Sequence, residues 1–211
     1  MFALPSIPTL VITIPVFLLA LTIHEFAHGW VANALGDPTA RLQGRLTLNP
    51  IAHLDPIGTL AIVFIGFGWA RPVPVDSRYL KRPRRDMMLI AAAGPASNIV
   101  LGVLSAFCVR VIPWSGSSPE WMWLIKPLLL MLFTSVGVNV ILAVFNLLPI
   151  PPLDGSRVLS GLLPLRQAIS LSRLEPYGGI IIFLLFITGV MNPMFGLAQH
   201  TITRALLRMW G

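Results

Sequence analysis

His24, Glu25 and His28 sit inside the run LTIHEFAHGW, residues 21–30, and their types and spacing suit metal chemistry. On a helix, residues four apart share a face one turn apart, so the two imidazoles can hold one zinc ion between them. Glu25, adjacent to the first ligand, then reaches a water that the metal activates, which is the arrangement of a hydrolytic centre. The surroundings sharpen the reading. Residues 1–23 contain no Asp, Glu, Lys, Arg or His, and a carboxylate in such apolar company is expensive and marks function.

A catalytic zinc with an open position takes three protein ligands, so one zinc per chain requires a third residue. His53 and Asp55 lie in a polar segment, Glu120 is expected on the opposite side of the membrane, and Asp154 stands in NLLPIPPLDGSRVLSG, residues 146–161. Pro149, Pro151 and Pro152 forbid regular helix just before Asp154. Broken backbone at membrane depth is tolerated only where protein or a water-filled cavity satisfies it. Residues 146–155 therefore read as an unwound segment at an interior cavity, with Asp154 either aimed into it or capping the helix that follows. Asn98 and Asn146 are further polar residues at positions facing the bundle. Asn98 either bonds neighbouring helices beside the small residues Gly94, Ala96 and Ser97 or joins in holding substrate. Asn146, at the start of the unwound segment, has the donor to meet a substrate carbonyl.

The elements that must carry these residues are membrane elements. The 211 residues are 55% hydrophobic and 11% charged, against about 25% charged in soluble domains, and the mean hydropathy is +0.81. The net charge of +7 comes from basic residues that flank apolar runs, which fits cytoplasmic membrane flanks better than nucleic acid. The single cysteine, Cys108, excludes an internal disulfide and a thiolate-only metal site. Residues 7–34 are expected as one long retained helix ended by Gly36-Asp37-Pro38, with 86–112 and 121–147 as further spans. Residues 40–55 alternate and contain turn residues, which reads as a short strand or hairpin. Residues 57–69 are apolar but too few to cross, and basic residues lie on both sides of them, so the segment is expected to re-enter or lie at the interface. Residues 113–120 form an outer loop, 177–191 a shorter apolar run, and 192–211 an interfacial helix. The expected fold is an all-α polytopic helix bundle with a short re-entrant or hairpin segment, and residues 1–211 form one domain.

Three motifs, HEFAH at 24–28, GPASN at 94–98 and NLLPIPPLDG at 146–155, together resemble the site-2 proteases, a family of intramembrane zinc metalloproteases. The resemblance covers most of the chain, and RLTLNP with FGWARPVPVD resemble the compact bacterial branch, with no room for the PDZ or regulatory domains of some relatives. It implies His24, His28 and Asp154 as zinc ligands, Glu25 as the catalytic base, and Asn146 in holding the substrate. It also implies membrane-spanning protein substrates, while the apolar runs and their basic flanks lead to the expectation of a bilayer environment, no nucleic-acid partner, and a multi-pass protein of the plasma (inner) membrane with its site toward the cytoplasm. A metal transporter would instead spread acidic and histidine residues along a path across the bilayer, and a catalytically silent scaffold would not need Glu25.

Overall fold

The computed structural model describes residues 6–65, 68–112 and 119–208. Three long helices dominate: α1 (Ile7–Ala34), and further on two of similar length that pack on it and on each other. Ser6 caps α1, accepting a hydrogen bond from the Thr9 amide. The helix ends where expected, and the Asp37 N–H closes back on the Ala32 carbonyl at 2.9 Å. His24 lies 17 residues from Ile7, about 25 Å along the axis, and so near the far side of a bilayer core about 30 Å thick.

Residues 40–55 depart from the expected strand or hairpin. They hold a short helix α2 (Thr39–Leu42) and a 3-10 turn (Pro50–His53). Turn chemistry overrides the alternation. Asp37 Oδ1 accepts from both the amide and the hydroxyl of Thr39, which starts α2, and Asn49 accepts from the Ile51 amide ahead of the 3-10 turn. Among the described residues, strand-like pairing is limited to one antiparallel bridge, Leu54 with Ala70. That bridge, with the Arg71 N–H donating to the His53 carbonyl at 2.9 Å, joins the two ends of the short apolar segment. The helix inside it, α3 (Pro56–Ile65), is started by Asp55, which accepts from the Gly58 amide. The described ends of the apolar segment thus lie side by side, as the expected re-entrant course requires.

The second and third long helices are α4 (Pro83–Val111) and α5 (Pro119–Asn146). Most of the expected outer loop, residues 113–118, lies outside the described residues. After α5 the chain leaves helix over residues 147–153 and resumes at α6 (Asp154–Leu162). Next come α7 (Leu165–Ser172) and α8 (Gly178–Ile187), which the composition groups as a fourth apolar stretch, 165–187, long enough to cross. The apolar run expected at 177–191 is the second half of that stretch. The tail forms α9 (Asn192–Ala198), a π-helical turn and α10 (Arg204–Arg208). Its described part packs along α4 and α5, with Leu206 beside Gly102 and Gln199 beside Gly137.

Candidate active site and metal centre

The two histidines face α4, and α4 comes close to them. A Cβ at Gly94 would stand 2.3 Å from His28 Nε2 and 2.6 Å from His24 Nε2. Any residue other than glycine there would displace the imidazoles. The outer nitrogen of each ring is fixed. His24 Nδ1 donates to Asn98 Oδ1 at 2.6 Å, and His28 Nδ1 donates to the Ile90 carbonyl at 2.7 Å. Both acceptors are carbonyl oxygens, so both protons sit on Nδ1 and both Nε2 atoms present lone pairs inward.

The third group arrives from α6. Leu153, not Asp154, is the N-cap of that helix, and no side chain caps it. Asp154 is therefore free to turn its carboxylate inward, and Oδ2 lies 3.1 Å from His24 Nε2 and 3.2 Å from His28 Nε2. The two Nε2 atoms are 3.0 Å apart. Gly155 lets α6 begin hard against the unwound turn, since a Cβ there would meet the Leu147 carbonyl at 2.1 Å. The result is three acceptors converging with no donor among them, and Asp154 Oδ2 is buried without a hydrogen-bond partner. Only a bound cation or proton relieves that repulsion. Two imidazoles and one carboxylate form a zinc set, and the spacings approach the roughly 3.3 Å between tetrahedral ligands of bonds near 2.0–2.1 Å. The residues present fit the metal. Among the described residues this is the group of three that can hold an ion.

The other third-ligand candidates are elsewhere. His53 is fully buried, with Nε2 on the Thr47 carbonyl. Asp55 caps α3. Glu120 is exposed near the opposite end of α5 from Asn146, about 39 Å away along the helix.

Glu25 is buried beside the set, and its Oε2 accepts from the Val73 N–H at 2.9 Å. His24, Glu25 and Asn146 supply polar groups to a cavity of about 770 Å³ between α1, α3, α5 and α8, whose remaining walls are chiefly apolar, including Trp69, Phe145 and Phe183. Asn146 donates one amide hydrogen to the Leu142 carbonyl of its own helix at 3.0 Å, which leaves the second N–H for a ligand in the cavity. Asn98 has nothing to offer substrate. It is fully buried behind His24, and its Nδ2 donates to the Ala20 carbonyl and to Asn139 Oδ1, at 3.2 and 2.8 Å. The substrate contact expected of Asn98 gives way to a contact with a ligand, because α4 crosses α1 on the side away from the cavity.

Two groups escaped the sequence reading. Asn139 orients Asn98 and is itself anchored on the Ser135 carbonyl at 2.9 Å. It lies seven residues before Asn146, two turns along the same helix face, so its position was readable. Arg45 is buried in the loop after α2 and donates to the carbonyls of Arg71 and Pro72. Burial lowers its pKa from the ordinary value, Arg71 adds to this, and the Glu25 carboxylate opposes it. No local pattern distinguishes it from the other basic flanking residues.

A polytopic helical bundle whose HEFAH helix, distant aspartate and adjacent glutamate meet at an apolar cavity defines the class of membrane-embedded metallopeptidases. Comparison with known proteins agrees. The family described as Peptidase family M50 matches residues 109–188, the part carrying Asn146 and Asp154. YwhC of Bacillus subtilis (strain 168), named as a candidate zinc metalloprotease, is 40% identical over 96% of this chain and 93% of its own length. Rip2 of Mycolicibacterium smegmatis, named likewise, is 30% identical over 88% of this chain and 70% of its own. Rip2 of Mycobacterium tuberculosis (strain H37Rv) is 28% identical over the same shares. No solved structure matches. The chain belongs to peptidase family M50, and family and site together make it a zinc metallopeptidase.

Proposed function

We propose that this peptidase hydrolyses peptide bonds within or next to the transmembrane segments of membrane-anchored proteins. The observation that carries the reading is the convergence of His24, His28 and Asp154 at one point beside Glu25, on the wall of an apolar cavity. A transporter needs a succession of sites across the bilayer, whereas these ligands share a single one.

His24 Nε2, His28 Nε2 and Asp154 Oδ2 would hold the zinc, which when bound supplies Lewis acidity to the scissile carbonyl and to water. Glu25 takes a proton from the attacking water and returns it to the leaving amine. With Oε2 committed to Val73, Oε1 is the oxygen left to do so. Asn146 uses its spare N–H on the oxygen that gains charge during attack. The apolar walls exclude bulk water and accept an unwound segment of substrate. Residues 1–211 act as one peptidase domain, since α1, α4, α5 and α6 all contribute to the site. The protein lies multi-pass in the plasma (inner) membrane. Basic residues at 71–85 and around α6 and α7 favour the cytoplasm for the metal end of the bundle.

The test is zinc-dependent cleavage of a transmembrane model protein by the purified chain in lipid nanodiscs. Glu25→Gln keeps zinc while turnover falls by about 10² to 10⁴, the usual worth of a general base. A fully active Glu25→Gln protein would overturn the mechanism.

A further inference from the structure

Two stretches that stand out in the sequence, RLTLNP at 45–50 and FGWARPVPVD at 67–76, take no direct part in the reaction, yet they meet over Glu25. Arg71 and Val73 each precede a proline, which biases both to extended backbone. The segment is then tied down point by point. The Arg71 N–H donates to the His53 carbonyl. Arg45 Nη2 donates to the Arg71 carbonyl at 2.8 Å and to the Pro72 carbonyl at 3.3 Å. The Asp76 N–H donates to Asp37 Oδ2 at 2.7 Å. Between these ties the buried Val73 leans its Cγ1 on α1 at Gly29 and aims its N–H at Glu25 Oε2. Pro72 and Pro74 have no N–H, so within 72–74 the Val73 donor is the sole main-chain N–H.

The presence of Arg45 calls for an explanation. A guanidinium is buried in a loop, its Nε lacks a partner, and what it grips are the two main-chain carbonyls immediately before the donor to Glu25. We propose that Arg45 is a positioning residue for Glu25: by clamping the Arg71 and Pro72 carbonyls it fixes the Val73 N–H, and the Val73 N–H fixes the carboxylate. A glutamate has three rotatable bonds and this one borders a large cavity. Held at one oxygen, it presents the other to water in a single orientation. The proposal rests on the peptidase reading of Glu25.

Two readouts test it, one of them independent of turnover. In zinc-loaded protein, hydrogen exchange at the Val73 amide is slow in the wild type and at least about tenfold faster in Arg45→Met and in Glu25→Ala, as expected when a protecting bond is lost. In cleavage assays Arg45→Met keeps its zinc and its KM, while kcat falls about 100-fold, the scale of a small misplacement of a reacting group. Arg45→Lys recovers part of the loss. Val73→Pro removes the donor with Arg45 intact and gives the same fall, whereas Val73→Ala, which keeps the N–H, loses much less. If Arg45→Met does not fold, Arg45→Lys and the Val73 pair carry the same readouts. A zinc-loaded Arg45→Met or Val73→Pro protein with wild-type kcat overturns the proposal, as does a Val73 amide indifferent to Arg45. Exchange that responds as expected in a wild-type protein unable to cut any membrane peptide would sink the peptidase reading and leave the clamp standing.

Discussion

The metal side and the cavity side of this site are built from different materials. His24 and His28 project from a long helix and are backed by another long helix: Gly94 admits their rings, and Asn98 and the Ile90 carbonyl hold their outer nitrogens. Glu25, one residue from His24, is held instead by extended backbone that a loop arginine grips. The metal side is rigid because helical backbone satisfies its own hydrogen bonds and leaves side chains to fix the ligands. The cavity side is mixed: beside the long helices α1 and α5 it is closed by the short helices α3 and α8 and by loop backbone around Trp69. The difference predicts that substitutions on the two sides have separable signatures, one in zinc content and the other in turnover.

The largest expected effect is on the metal side. Asp154→Ala removes the only carboxylate of the set, and both zinc and activity should fall to background in a paired assay of metal content and cleavage. On the cavity side, Asn146→Ala should keep zinc and lose about 10² to 10³ in kcat through the missing oxyanion donor. If the loss appears in KM instead, Asn146 positions substrate and the cavity side is a binding surface alone. Gly94→Ala lies outside the cavity, yet should lower zinc affinity by about 100-fold, at the upper end for residues that support ligands, measured by competition with a chelator. Unchanged affinity would mean that α4 yields and that the metal side is less rigid than argued. The smallest effect is expected from Asn98→Ala, about tenfold in zinc affinity, because His24 keeps its place on α1 and loses only its orienting acceptor.

Much of the metal side was legible in advance. The i, i+4 histidines need only a helix to share a face, and an apolar run of this length supplies one. Asp154 was legible less directly, through prolines that must interrupt the helix before it. On the cavity side the same reasoning went astray at 40–55, where alternation suggested a hairpin and the side-chain caps of Asp37 and Asn49 produced a short helix and a 3-10 turn. It was also silent on Arg45, whose partners are main-chain carbonyls 26 and 27 residues away.

The sequence by itself determined the solvent of this protein, its long helices, and the residue types of its metal set, because hydrophobicity, helical period and ligand chemistry are local properties that survive without a partner. Where the residues left Asp154 either aimed inward or capping a helix, tertiary structure decided that its carboxylate meets His24 and His28. It also decided that Asn98 serves His24 rather than the substrate, and that an arginine in one loop steadies the glutamate through the backbone of another. Each of those depends on which surfaces of different helices and loops meet, and a contact between residues far apart in the chain leaves no periodic trace in either segment.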